Sequence, residues 1–254
     1  MRKSGVDLRF LGTGSAFCLD NYQSNMLIEC NDKRLMIDCG GDARRALQGL
    51  TYKDIDAIYV SHLHNDHTGG IECMAFSSYF DPTKKPIKLI GETKLIDELW
   101  DTVLRGGLAS IQGKRVGIDD YFDVIRVPRN NSFIWEGITF NIVQVCHVVD
   151  AYAIVSSYGL MFKGNKGKNI FITTDTQYAP SQLQTFYEQN DIIFQDCETA
   201  PFKSGVHAHY SELKNLSKDV KKKMYLYHYQ DGAKADCKKD GFGGWCEKGQ
   251  LFEL

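Results

Sequence analysis

Three of the seven histidines stand within ten residues, Ser61-His62-Leu63-His64-Asn65-Asp66-His67-Thr68-Gly69-Gly70, directly behind the apolar run from Ile55 to Val60. No other feature constrains the fold as much. A short apolar run that ends in turn-forming residues reads as a buried strand, and a loop at a strand end is where reactive side chains are commonly set. His62 and His64 are two apart and point the same way from an extended segment. Asp66 and His67 follow where the chain turns toward a helix, so they face a second position nearby. Imidazole and carboxylate are borderline ligands suited to zinc, manganese or iron. Neutral imidazole brings no charge, so Asp66 offsets part of a metal's charge. The plain alternative is four polar residues in a surface loop, and their spacing behind an apolar strand weighs against it.

Around this decapeptide, strands are expected at 7–11, 26–29, 34–38, 55–60, 138–145, 152–156, 169–174, 192–195 and 224–228. Helices are expected at 42–49, 94–105, 180–189 and 211–222, the last with Ser211 as its N-cap. No Pro/Ser-rich linker and no internal repeat divides the chain, so one domain over 1–254 fits, with two sheets sandwiched between helices. A balance of 30 Lys+Arg against 32 Asp+Glu lacks the basic footprint of a protein that lives on long nucleic acid. No apolar run approaches the roughly 20 residues that span a bilayer, and no apolar signal region follows Met1. The expectation is therefore a cytoplasmic protein with no membrane partner. Eight cysteines with no C-x-x-C pair are expected as reduced thiols rather than a disulfide scaffold or a zinc ribbon.

The pattern H-x-H-x-D-H behind a strand resembles the signature of the metallo-β-lactamase fold superfamily. That resemblance implies an α/β protein, an αββα sandwich of two mixed β-sheets between helices. It also implies three more ligands in order, each at a strand end. The apolar run 142–146 ends on His147, the run 169–174 on Asp175, and the run 224–227 on His228. Alone, each would read as a core or surface residue. By the resemblance, His62, His64 and His147 hold a first metal, Asp66, His67 and His228 hold a second, and Asp175 bridges them. Asp66 counts among the catalytic residues as well, and Ser61 among those that bind substrate. The cofactor implied is two divalent ions, zinc with manganese as the alternative. Two such ions about 3.5–4 Å apart lower the pKa of a shared water and clamp a phosphoryl or carbonyl oxygen.

Further motifs narrow the substrate. Phe10-Leu11-Gly12-Thr13-Gly14-Ser15-Ala16, Asn25-Met26-Leu27-Ile28-Glu29 and Ile37-Asp38-Cys39-Gly40 are similar to the tRNase Z-like branch of phosphodiesterases. Asp196-Cys197-Glu198-Thr199-Ala200 and Val206-His207-Ala208-His209-Tyr210-Ser211 resemble that branch's acid and histidine motif. A phosphodiester's leaving alkoxide needs a proton, and a histidine backed by a carboxylate supplies one. His209 is assigned as the general acid, oriented by Glu198, and His207 contacts phosphate or is idle. An exposed loop is the alternative for both histidines.

One departure from that branch matters. The tRNA-processing enzymes carry a long arm between the third and fourth ligand motifs, and here only 28 positions separate His147 from Asp175. The basic turn from Lys163 to Lys168 reads as a solvated hairpin tip. The compact layout resembles cyclic-nucleotide phosphodiesterases of this fold, in particular the phage-type anti-Pycsar enzymes, from about residue 7 to the C-terminal Leu254. This implies ring opening of 3′,5′-cyclic mononucleotides, including cyclic pyrimidine signals, to linear monophosphates, in evasion of host defence signalling. It further implies a homodimer whose loops help close the neighbouring site and, for a viral protein, the host cytoplasm. The stretch 75–83 is expected as a loop in which Phe76 and Phe80 stack on a base or pack into the core. A tRNA 3′-processing endoribonuclease and a lactonase- or thioesterase-type ester hydrolase are the competing readings.

Overall fold

Two seven-stranded sheets face each other, and each passes from an antiparallel meander into a parallel half. The computed structural model that shows them describes residues 5–47, 49–83, 85–232 and 234–254. Met1–Ser4 and Gln48, near the end of the helix expected at 42–49, lie outside the described residues. In the first sheet the strands run Leu251–Glu253, Asp7–Gly12, Asn25–Cys30, Lys33–Ile37, Ala57–Tyr59, Ile87–Glu92, Phe122–Val127. Pairing is antiparallel as far as Lys33–Ile37 and parallel from there on. The second sheet runs Gly244–Trp245, Met224–Tyr227, Ile192–Asp196, Asn169–Ile172, Ile154–Lys163, Ile138–Val149, Ser132–Trp135. Its first four strands are parallel and the rest antiparallel.

Strand periodicity divides the cores. In Met224–Tyr227, Tyr225 and Tyr227 turn to the space between the sheets, and Met224 and Leu226 to a second core on the outer face. Between the sheets the rings of Phe10, Phe194 and Tyr227 meet, with Phe10 5.4 Å from Phe194 and 5.6 Å from Tyr227. Leu183 and Tyr187 of the helix Pro180–Gln189, with Leu213 and Val220 of two shorter helices, cover the outer face of the second sheet. Ile71, Met74 and Ala75 of the helix Ile71–Tyr79 join the core of the first sheet. The arrangement is the αββα sandwich of two mixed sheets that the sequence implies.

Several expectations need correction. The strands Ile87–Glu92 and Phe122–Val127 are interrupted by charged residues and were not foreseen. The strand expected at 152–156 is Ile154–Lys163, where Gly159 hides the apolar pattern. A Cβ there would stand 2.6 Å from the Ile172 carbonyl oxygen, so the close approach of the neighbouring strand demands glycine. The stretch 75–83 is largely helical. Its Phe76 packs edge-on against Tyr121 and stacks on Phe80, while Phe80 itself is exposed. The helix expected at 211–222 breaks into Tyr210–Leu213 and Lys218–Lys221, because the Ser217 hydroxyl caps a new start by accepting from Val220 N. The turn at Lys163–Lys168 is a hairpin tip, as read, joining two antiparallel strands.

The parallel halves position the site. Their carboxyl ends open on one common edge, where ligands bind in open α/β sheets. The first sheet delivers Asp38 and Ser61 there, and the second delivers Asp175, Asp196 and His228.

Candidate metal centre

At the end of Ala57–Tyr59 the chain stays extended through His64, which N-caps the short helix Asn65–Thr68. This turn separates the decapeptide into two donor groups. His62 Nε2 and His147 Nε2 each lie 3.1 Å from His64 Nδ1. Ligand nitrogens around a tetrahedral ion with bonds of about 2.0–2.1 Å stand about 3.3 Å apart, so the three rings are spaced for one ion. Beside them His67 Nε2 lies 3.1 Å from Asp66 Oδ2, and His228 Nε2 lies 3.4 Å from the same oxygen. Asp175 Oδ2 belongs to both groups, 3.2 Å from His67 Nε2, 3.4 Å from His228 Nε2 and 3.7 Å from His62 Nε2. All seven sequence-derived ligands therefore come together.

The chemistry of the donor set fits divalent cations. Both oxygens of Asp175 and Nε2 of His67 are buried without a well-formed hydrogen bond. Polar atoms left so are costly unless a cation meets them. The outward ring nitrogens are engaged: His67 Nδ1 with Asp38 Oδ2 at 2.7 Å and His147 Nδ1 with the Val206 carbonyl at 2.8 Å. Such bonds aim the other nitrogen at a metal. Burial pushes the pKa of His62 and His147 down, which keeps both neutral and ready to ligate. Burial also opposes charge on His67 and His228, but Asp175 and its neighbouring carboxylates outweigh it and hold both histidines well above their ordinary value. Asp175, in turn, is held well below the usual carboxylate range by His228 and His67 against its burial.

Three non-glycine residues at these strand ends adopt left-handed backbone: Asp38 with φ 60°, Thr174 with φ 54° and His228 with φ 67°. Each such residue costs on the order of 1–3 kcal/mol and persists because its surroundings hold it. The bonds are visible: Asp38 N donates to Tyr59 O, His228 N to Thr13 O, and Thr174 Oγ1 meets Ser157 Oγ at 2.8 Å.

The hydrogen-bond partners of the two histidines differ from the sequence expectation. His209 Nε2 donates to the Ala200 carbonyl at 3.0 Å, and Nδ1 accepts from Ser211 N at 3.2 Å. His209, not Ser211, is thus the N-cap of Tyr210–Leu213. The Glu198 carboxylate accepts from Ser204 N, and it is the Glu198 backbone that pairs with the His209 segment, through Glu198 N to Ala208 O and Tyr210 N to Glu198 O. His207 instead faces the centre. Its Nδ1 lies 2.8 Å from Asp196 Oδ2 and 3.9 Å from Asp175 Oδ2, and its ring stacks on His228 at 4.6 Å. Burial opposes its charge, yet Asp196 raises its pKa overall. Ser61 needs the second correction: it is fully buried and bonded to Asp38 and His62, out of reach of a substrate. Sequence reasoning quoted Asp38 and Asp196 within motifs and gave neither a role. A carboxylate at the end of an apolar strand was the available signal for both.

Overlapping His/Asp donor groups, a third being Asp175, Asp196, His207 and His228, at the shared edge of an αββα sandwich define a metallo-β-lactamase-fold protein with a candidate metal centre. The chain belongs to the anti-Pycsar protein Apyc1 family, whose model matches residues 6–252. An Anti-Pycsar protein Apyc1 of Paenibacillus xerothermodurans is 34% identical over 234 residues, covering 89% of this chain and 88% of that one. That of Bacillus phage vB_BveM-Goe7 is 30% identical over 261 residues, covering 97% and 98%. Among solved structures, the metallo-β-lactamase fold protein YhfI from Bacillus subtilis superposes with a TM-score of 0.76 at 17% identity, over 98% of this chain and 100% of that one. Among the described residues no helix is long and apolar enough to cross a membrane.

Proposed function

We propose that this chain is a metal-dependent phosphodiesterase that opens 3′,5′-cyclic mononucleotides, cyclic pyrimidine signals included, to linear monophosphates. The observation that carries the reading is the sharing of Asp175 between two donor groups, with the His207–Asp196 pair 3.9 Å from its Oδ2. Membership of a family whose relatives are named for acting against Pycsar supports the cyclic pyrimidine substrate. His62, His64 and His147 would hold one divalent ion, Asp66, His67 and His228 another, and Asp175 both. When bound, such a pair supplies Lewis acidity and a water of lowered pKa. Zinc is the expected metal, with manganese accepted.

The chain's own contribution is orientation and a proton. With Nδ1 committed to Asp196, Nε2 is the remaining proton carrier of His207, and the side chain keeps 17% of its surface exposed. Water attacks phosphorus in line, the bond from phosphorus to one ribose oxygen breaks, His207 Nε2–H protonates that oxygen, and the surplus proton of the attacking water restores His207 through solvent. Asp196 balances the charge on His207 while the proton is held. The short hairpin between His147 and Asp175 offers no arm for a tRNA body, which favours a small substrate. The enzyme would act as a homodimer in the cytoplasm, the host's when a phage carries it, as one hydrolase domain.

Turnover of the metal-loaded protein against cyclic mononucleotides, cyclic dinucleotides, precursor tRNA and a lactone tests this. Ring opening of cyclic mononucleotides is expected. Cleavage of precursor tRNA with every cyclic mononucleotide left intact would overturn it.

A further inference from the structure

The buried carboxylate that aims His67, Asp38, also reaches toward the other donor group. Asp38 accepts three hydrogen bonds: Ser61 N to Oδ1 at 2.8 Å, Ser61 Oγ to Oδ2 at 2.7 Å and His67 Nδ1 to Oδ2 at 2.7 Å. Ser61 Oγ lies in turn 3.0 Å from His62 Nδ1. An ionised carboxylate only accepts, so the Ser61 hydroxyl directs its proton to Asp38 and offers a lone pair to His62. His62 then carries its proton on Nδ1, and His67 does the same by bonding to Asp38 directly. With a metal ion bound in place of the Nε2 proton, both rings would turn an unprotonated Nε2 inward, His62 into the first donor group and His67 into the second.

We propose that Asp38 is a positioning residue that sets the tautomer of one histidine in each donor group, directly for His67 and through Ser61 for His62. One side chain thereby prepares both metal positions at once. The inference rests on the two-metal reading. Its logic is directional. In Asp38→Asn the amide keeps its oxygen toward Ser61 N–H and presents an NH2 where Oδ2 stood. That donor turns His67 Nδ1 into an acceptor and moves the ring proton to Nε2, the atom aimed at Asp66 and Asp175. It also donates to Ser61 Oγ, whose own proton then faces His62 and reverses that ring too. A carboxylate-to-amide change beside a catalytic histidine acts by the same tautomer logic in serine proteases. Ser61→Ala cuts only the His62 arm and leaves the Asp38–His67 bond in place.

The test is calorimetric zinc titration of protein first stripped with chelator, paired with 1H–15N spectra of the zinc-loaded protein labelled at histidine nitrogen. The wild-type chain is expected to bind two zinc ions and to show hydrogen-bonded Nδ1–H resonances for His62 and His67. Ser61→Ala should weaken one zinc step about 10–100-fold, the usual size of an outer-shell loss, with the other step unchanged. Only the His62 resonance should move. Asp38→Asn should weaken both steps and remove both resonances. Two variants that titrate like wild type, or a Ser61→Ala that weakens both steps equally, would overturn the relay. A wild-type chain binding fewer than two zinc ions would defeat the two-metal reading alone, since the Nδ1–H resonances still decide the relay. Should Asp38→Asn fail to fold, the one-sided effect of Ser61→Ala decides the matter.

Discussion

Asp38 and Asp196 stand at the ends of strands in opposite sheets, and both are buried carboxylates that accept from a histidine Nδ1. Their surroundings differ. Both oxygens of Asp38 are satisfied, and both histidines it serves are enclosed. Asp196 Oδ2 takes Thr176 N and His207 Nδ1 at 2.8 Å each, while Oδ1 lies 3.4 Å from His228 Nδ1 without a well-formed bond. Its partner His207 also reaches the surface. A saturated carboxylate behind an enclosed ring can only orient it, whereas an incompletely bonded one behind an accessible ring can support proton delivery. Equivalent pairings thus differ in what the far side of the imidazole meets, and under the proposed function one holds while the other reacts.

The most forceful way to break this division is at the residue both halves share. Asp175→Ala should lose one or both metals, by elemental analysis, and bring turnover to background. Active, unchelated wild-type protein carrying one metal or none would remove the dinuclear basis of the comparison. Next, His207→Ala should retain its metals and lose about 10²–10⁴ in turnover of an unactivated phosphodiester, the usual range for a general acid. A nitrophenyl ester leaves well without a proton and should suffer less; equal losses would make His207 a phosphate-positioning group.

Asp196→Asn probes the reacting side more finely. Asp196 raises the His207 pKa against burial. Without its charge the protonated form is lost at lower pH, so the basic limb of the kcat profile should move acidward. At neutral pH the loss should be about 10–100-fold. A profile unmoved at either limb would detach Asp196 from the proton. The smallest effect belongs to His209→Ala, where turnover should change little. The lost N-cap should cost about 0.5–2 kcal/mol of stability, read by urea unfolding at fixed metal concentration. A turnover loss matching that of His207→Ala would return the acid to His209.

The ligands of this site are legible in the sequence because a metal set built on strand ends leaves local marks. His62, His64, Asp66 and His67 are neighbours in one decapeptide, and His147, Asp175 and His228 each close an apolar run. The edge strand Phe122–Val127 left no comparable mark, since its exposed residues, Asp123 and Arg126, break both the apolar run and a two-residue alternation. Nor did the helix at Ile71–Tyr79, whose aromatics read equally as a loop that stacks on bases.

Which side chain moves a proton was a different kind of question. His207 and His209 are two apart, so an extended segment would turn both the same way, and Asp196 and Glu198 share the same ambiguity. The resemblance of these two segments to an acid and histidine motif implied that an acid and a histidine from them would meet; of the two, only the acid segment follows an apolar run, 192–195. Only the tertiary structure shows which of these side chains pair. The chain turns into a helix at Tyr210, which commits both nitrogens of His209 to the helix start and to Ala200. His207 is left over the candidate metal centre, bonded to Asp196 and 3.9 Å from Asp175, and that placement depends on where two distant strands lie against each other rather than on either segment's own residues.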